Sequence, residues 1–126
     1  MKRVLVLGLV VLLVVGSAVA ASSQTPEWIV YDTENSGLPD NYLTYALTID
    51  AQGNIWIGTG EFPDGGGRGL AKFDGEAWRV YNTGNSELPH DRVVALAIDA
   101  QEDIWIGTRL RGLAVYREGG VILTRP

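Results

Sequence analysis

The 126 residues contain no cysteine. A lipid anchor on an N-terminal cysteine is therefore excluded, and any core must hold without disulfides, which an exported protein can omit when burial suffices. Positive charge is scarce too, with ten Lys and Arg against fifteen Asp and Glu. Setting aside Lys2 and Arg3, eight basic residues face fifteen acidic ones, a net charge of −7. That balance repels a phosphate backbone and argues against nucleic acid as a partner. Four of the remaining bases, Arg109, Arg111, Arg117 and Arg125, fall near the C-terminus, so local anion binding stays open there. Helical periodicity of useful length is missing beyond the first residues, and no apolar run reaches the ~20 residues of a membrane span.

What is present starts with a leader. Lys2 and Arg3 precede an apolar run over residues 4–15, broken only by Gly8, and Ala18-Val19-Ala20 supplies the small-x-small pattern of a cleavage site. The reading is a helical signal peptide over 1–20 and a short linker over 21–26. The mature part, 27–126, is then extracytoplasmic, periplasmic or secreted, with no membrane attachment after cleavage. An uncleaved signal anchor is the alternative.

The rest of the chain repeats itself. Trp28, Tyr31, Asn35, Ser36 and Pro39 recur 50 residues later as Trp78, Tyr81, Asn85, Ser86 and Pro89. Ile49 recurs at Ile98, an offset of 49, so the first copy holds one extra residue before it. Gly69-Leu70-Ala71 recurs at Gly112-Leu113-Ala114, an offset of 43, which places a six-residue insertion within residues 60–68. Self-similarity at this period points to repeats of one supersecondary unit.

Each unit reads as four short strands. Residues 46–49 and 93–98 are apolar runs, each followed by a polar cluster, 50–54 and 99–103, that reads as a hairpin turn. Ile55-Trp56-Ile57 and Ile104-Trp105-Ile106 show no polar alternation, so both faces of these strands must be covered. Gly58 and Gly107 mark a bulge or a close backbone approach. Residues 70–73 and 113–116 form a third strand and 78–81 a fourth. Residues 28–32 form the outer strand of a preceding unit, and 121–124 a weak last strand. This predicts an all-β fold, a partial β-propeller of about two four-stranded antiparallel blades, with blade one over 43–82 and blade two over 93–124. A β-sandwich of hairpins is the competing architecture.

The sequence Gly-Asn-Ile-Trp-Ile-Gly-Thr at 53–59, its counterpart at 102–108, and the Asn-Ser-x-Leu-Pro linkers at 35–39 and 85–89 resemble the two-component regulator propeller repeat of bacterial sensor proteins. The resemblance spans residues 27 to about 120. It implies a blade of an extracytoplasmic sensor domain, in a family some of whose members are fused to histidine kinases and associated with sensing glycan breakdown products. Streptogramin lyases have a similar blade signature, so an enzyme completed by other blades is a rival reading. The second copy reads Glu102-Asp103 where the first has Gly53-Asn54, which predicts a different turn geometry.

Closed propellers have four to eight blades, and each sheet face here amounts to roughly 400 Å². Two blades alone leave two such faces wet, and exposed apolar area of that size marks an interface. Three outcomes follow: a homo-oligomer closing a ring, a truncated fragment without independent activity, or an open pair of blades. The partners expected are further copies or other blades, together with a polar small molecule or glycan.

No catalytic residue, cofactor or metal is assigned. Trp56 and Trp105 read as inter-blade core, and Trp28 and Trp78 as outer-strand repeats. Asp50 and Asp99 lack the alternating oxygen ligands of a calcium loop and read as caps of their turns. Residues 60–69 lack the following helix and the Lys-Ser/Thr of a phosphate cradle and read as a surface loop. His90 has no nucleophile motif beside it. The candidate ligand-binding set is Asn35, Ser36, Asn41, Asn85, Ser86, His90, Asp91, Arg109 and Arg111, which gather at the linkers and the following hairpin. Turn stabilisation is the competing role of its Asn and Ser residues.

Overall fold

The computed structural model describes residues 27–60 and 66–120. The expected leader at 1–20, the linker at 21–26, the middle of the long loop and the weak strand at 121–124 lie outside the described residues. The chain divides into two units, Met1–Val30 and Tyr31–Pro126. In the first, the described residues 27–30 are exposed and outside any strand. The outer strand expected over 28–32 is thus not formed. Such a strand pairs with the third strand of a blade, and in the first sheet that edge is taken by residues 78–81.

Seven strands build the second unit: β1 (Leu43–Ile49), β2 (Ile55–Thr59), β3 (Leu70–Phe73), β4 (Trp78–Tyr81), β5 (Val93–Ile98), β6 (Ile104–Thr108) and β7 (Leu113–Tyr116). They form two antiparallel meanders, β1-β2-β3-β4 and β5-β6-β7, with no helix among the described residues. This is the all-β, blade-like architecture of a partial propeller, with three strands described in the second blade.

The turns follow from local chemistry. In the first hairpin Asp50 N–H donates to Asn54 O at 3.0 Å and Gly53 N–H to Asp50 O at 3.0 Å, with Gly53 at φ +87°. The second hairpin has the same pair of bonds, from Asp99 N–H to Asp103 O and from Glu102 N–H to Asp99 O. The turn geometry does not differ between the copies, contrary to the expectation. Glu102 adopts φ 67° despite its Cβ, and its carboxylate accepts a bond from Ala51 N–H of the first hairpin at 3.0 Å.

Strand alternation then distributes the apolar residues. Trp56, opposite Thr48 and Lys72, turns toward the second sheet, while Ile55 and Ile57 turn away. From the second sheet Ile104 and Ile106 turn inward. Ala46, Trp56, Leu70, Leu88, Val93, Ile104 and Ile106 form the main core between the sheets, joined by Tyr81, Leu96, Ile98, Ala114 and Tyr116. Leu38, Ile57 and Ala71, with Ile55 and Trp78, form a smaller cluster on the other face of the first sheet. Trp56 is therefore inter-blade core, 2% exposed. Trp105 is not: the same alternation puts it on the face of the second sheet turned away from the first, where it is half-buried. Both sheets lead with the same face, so only one tryptophan can lie between them. The ladder slips between Val93 and Ala95, opposite Gly107, the bulge expected at this glycine; its added Cβ would stand 3.2 Å from the Ala95 Cβ and 3.8 Å from the nearest backbone atom.

Gly53 and Gly69 separate conformation from space. An added Cβ at Gly53 meets nothing within 4 Å, so Gly53→Ala should cost only the left-handed strain, about 1 kcal/mol. At Gly69, with φ +100°, the added Cβ would stand 2.1 Å from Tyr81 O. Thermal unfolding should show a fall of a few degrees for Gly53→Ala and a drop at least three times larger for Gly69→Ala.

Candidate functional site

An aspartate and a tryptophan six residues apart organise each hairpin tip. The Asp50 carboxylate accepts bonds from the N–H groups of Gln52 and Asn54 at 3.0 and 2.9 Å, from Asn54 Nδ2 at 2.9 Å and from Trp56 Nε1 at 2.9 Å. Asp99 repeats this with Gln101 N–H at 2.9 Å, Asp103 N–H at 3.0 Å and Trp105 Nε1 at 2.8 Å. Both aspartates cap their turns as the sequence suggested. The indole bond was missed, although the same Asp-to-Trp spacing in both copies was a signal for it.

Between these tips lies a cleft of about 420 Å³, lined by Gln52, Lys72, Gln101, Arg117 and Glu118 around the Trp56 ring. Lys72 Nζ stands 5.3 Å over that ring and 3.9 Å from Glu118. Arg117 donates through Nε to Asp103 and through Nη2 to Gln101 O at 3.0 Å. Tyr116 donates its hydroxyl to Glu118 at 2.6 Å. Burial, followed by that bond, pushes the Tyr116 hydroxyl far above the usual phenol range. The same bond, followed by Lys72, holds Glu118 below the usual carboxylate value. Acid and base alternate around the cleft, with Asp50, Glu102 and Glu118 set against Lys72 and Arg117.

A second cleft, of about 460 Å³, opens beside β7 and is mostly apolar, lined by Tyr81, Glu87, Leu88, Ile106, Ala114 and Tyr116.

The linker set occupies the opposite end of the strands, and its side chains build the linkers. Asn35 and Asn85 accept bonds from the N–H groups of Asp32 and Asn82 at 2.9 and 2.8 Å. Ser36 Oγ donates to Asp32 O at 2.6 Å and accepts from Leu38 N–H at 3.1 Å, and Ser86 does the same with Asn82 and Leu88. Asn41 and Asp91 accept from the N–H groups of Thr33 and Thr83 at 2.9 and 2.7 Å. His90 Nδ1 accepts from Arg92 N–H at 3.0 Å. Arg109 and Arg111 are exposed on the hairpin that follows. Among the described residues, no group of three or more His, Asp or Glu side chains is placed to hold a metal ion. Among them, too, no helix is long and apolar enough to cross a membrane.

The Asp50 carboxyl is raised by burial, but the bonds from Trp56, Asn54 and Gln52 outweigh this and hold it below its ordinary 3.8. Trp105, followed by Asp103 N–H, holds Asp99 below 3.8 as well. A depressed folded pKa gives stability that is present above the unfolded value and lost as pH falls through the folded one. The melting temperature should therefore be level from pH 7 to 5 and fall below about pH 4, and Asp50→Asn with Asp99→Asn should flatten that fall. Asp50→Ala leaves the Trp56 N–H buried without its acceptor, at a cost of about 1–3 kcal/mol in denaturant unfolding.

A family model described as a two component regulator propeller matches residues 37–61 and 87–109. The two matches cover both hairpins and both Asp–Trp pairs, and begin within the linkers, after Asn35-Ser36 and Asn85-Ser86. No curated protein is similar enough to match the chain.

Proposed function

We propose that this chain, which carries two repeats of the two component regulator propeller family, is exported and acts as a non-enzymatic recognition module for a neutral, hydroxyl-rich ligand of the glycan type. The cleft between the hairpin tips carries the reading. It brings together amide side chains from both blades, Gln52 from the first and Gln101 from the second, beside Lys72, Arg117 and Glu118. Its charges nearly cancel, which favours a neutral polyhydroxyl compound over an anion or a cation. Loops on a rigid strand scaffold are where binding groups concentrate, and Asp50 anchors the tip that carries Gln52 to the buried Trp56.

Calorimetric titration with a panel of neutral oligosaccharides tests it. Gln101→Ala should weaken binding about fivefold and Gln52→Ala with Gln101→Ala about 30-fold, at one hydrogen bond of ~1 kcal/mol each. The melting temperature should be unchanged, and the ligand recovered chemically intact. Silence across the panel, or binding indifferent to both substitutions, rejects the reading.

A further inference from the structure

We infer that a second copy of this chain docks head to tail, its Trp28 entering the cleft beside β7 and its residues 28–31 adding a fourth strand to the second sheet. The inference concerns a different cleft and does not rest on the glycan reading.

The seat of Trp78 in the first sheet defines what the cleft is shaped for. Trp78 packs on Leu38, Ile57 and Ala71, stacks on Phe73 at 4.4 Å, meets Tyr31 edge-on at 5.7 Å, and presses on Gly37. The repeat counterparts of these six residues are Leu88, Ile106, Ala114, Tyr116, Tyr81 and Glu87, and all six line the cleft. The cleft is a tryptophan seat. At the position that corresponds to Trp78 within the same chain the sequence has Val121, much smaller than an indole. The sequence that matches 78–81 is Trp28-Ile29-Val30-Tyr31, and Trp28 is 89% exposed. The pairing of Leu70 with Tyr81 and Phe73 with Trp78 transfers to Leu113 with Tyr31 and Tyr116 with Trp28. Among the described residues β7 pairs with β6 alone, and a strand of this kind takes up an added strand through main-chain hydrogen bonds.

The first sheet offers the matching half. Tyr31 and Phe73 lie 5.2 Å apart, as do their counterparts Tyr81 and Tyr116, which Trp56 completes from the adjoining sheet face at 6.1 and 5.6 Å. Trp105, the counterpart of Trp56, stands on the outer face of the second sheet and would complete the pair in the next copy. Leu47 and Ile49 are 58% and 59% exposed, whereas their counterparts Leu96 and Ile98 pack into the core. Leu113 is 62% exposed against 1% for Leu70. The two outer faces are thus the two halves of the interface already made between the sheets, and docking continues that interface. The outer face of the second sheet is the more apolar version, with Ala97 and Val115 where the inner one has Thr48 and Lys72. Different patches meet, so the contact is heterologous and closes into a ring when the rotation per copy allows.

One position resists. Gly37 has no room for a Cβ, which would stand 2.4 Å from Trp78 Cβ, yet its counterpart is Glu87. The incoming indole must shift outward to clear it, and Glu87→Gly should tighten association.

Light scattering on the purified full chain without ligand is the test. The expected mass is two to four copies, giving the four to eight blades of a closed propeller. Leu47→Lys and Leu113→Glu sit at exposed positions and should each yield a single folded copy by circular dichroism. Mixed in equal amounts they should form a one-to-one pair, because each keeps the face the other has lost. Trp28→Ala should weaken association at least tenfold. A wild-type chain that stays a single copy overturns the inference. So does dissociation by only one of the two charged substitutions, the mark of a like-to-like contact, or indifference to Trp28→Ala, which means the β7 edge is filled from elsewhere.

Discussion

The pleat of a β-strand sends neighbouring side chains to opposite faces, and in β2 and β6 every residue from the first isoleucine to the second is apolar. A sheet built on such a strand is greasy on both sides, and one partner sheet covers only one of them. Burial of Trp56, Leu70, Ile104 and Ile106 between the two sheets follows from that constraint. So does the exposure of Leu47, Ile49 and Leu113, which stand on the faces that the partner sheet does not cover. The described sheets cover one face of each other and leave these three residues exposed on the outer faces.

The polar chemistry keeps the stack in register. Asp50 and Asp99 tie each hairpin tip to the indole of the middle strand, which fixes the strand crossing and the rotamer of a large side chain with one carboxylate. At the opposite end, Asn35, Ser36 and Asn41, with Asn85, Ser86 and Asp91, fold the linkers so that Leu38 and Leu88 drop onto the sheet that follows. Glu102 links the two tips through Ala51. These bonds fix the walls of the mixed-charge groove at the tips.

Much of this was legible in the residues. The repeat offsets, the turn clusters and the doubly apolar strands gave the meanders and the turn-capping role of Asp50 and Asp99. The linker set was legible as a group but its partners were not: Asn35, Ser36, Asn85 and Ser86 bond the main chain within their own turns, a geometry that spacing alone does not reveal. The groove at the tips was invisible because Gln52 and Gln101 come from different repeats, and neither belongs to a recognisable motif. Trp105 was read as core because its strand is identical to that of Trp56. Identical strands have different surroundings whenever one is at the end of a stack.

The amino-acid order by itself determined the strands, the turns and the period, because hydrogen-bonding side chains and alternation act over a few residues. Which copy of each repeated residue is covered was decided only in three dimensions. Burial depends on what lies against a face, and two equal repeats cannot both be inside. The direction of stacking, Trp56 inward and Trp105 outward, is the one fact that equal local sequences could not contain.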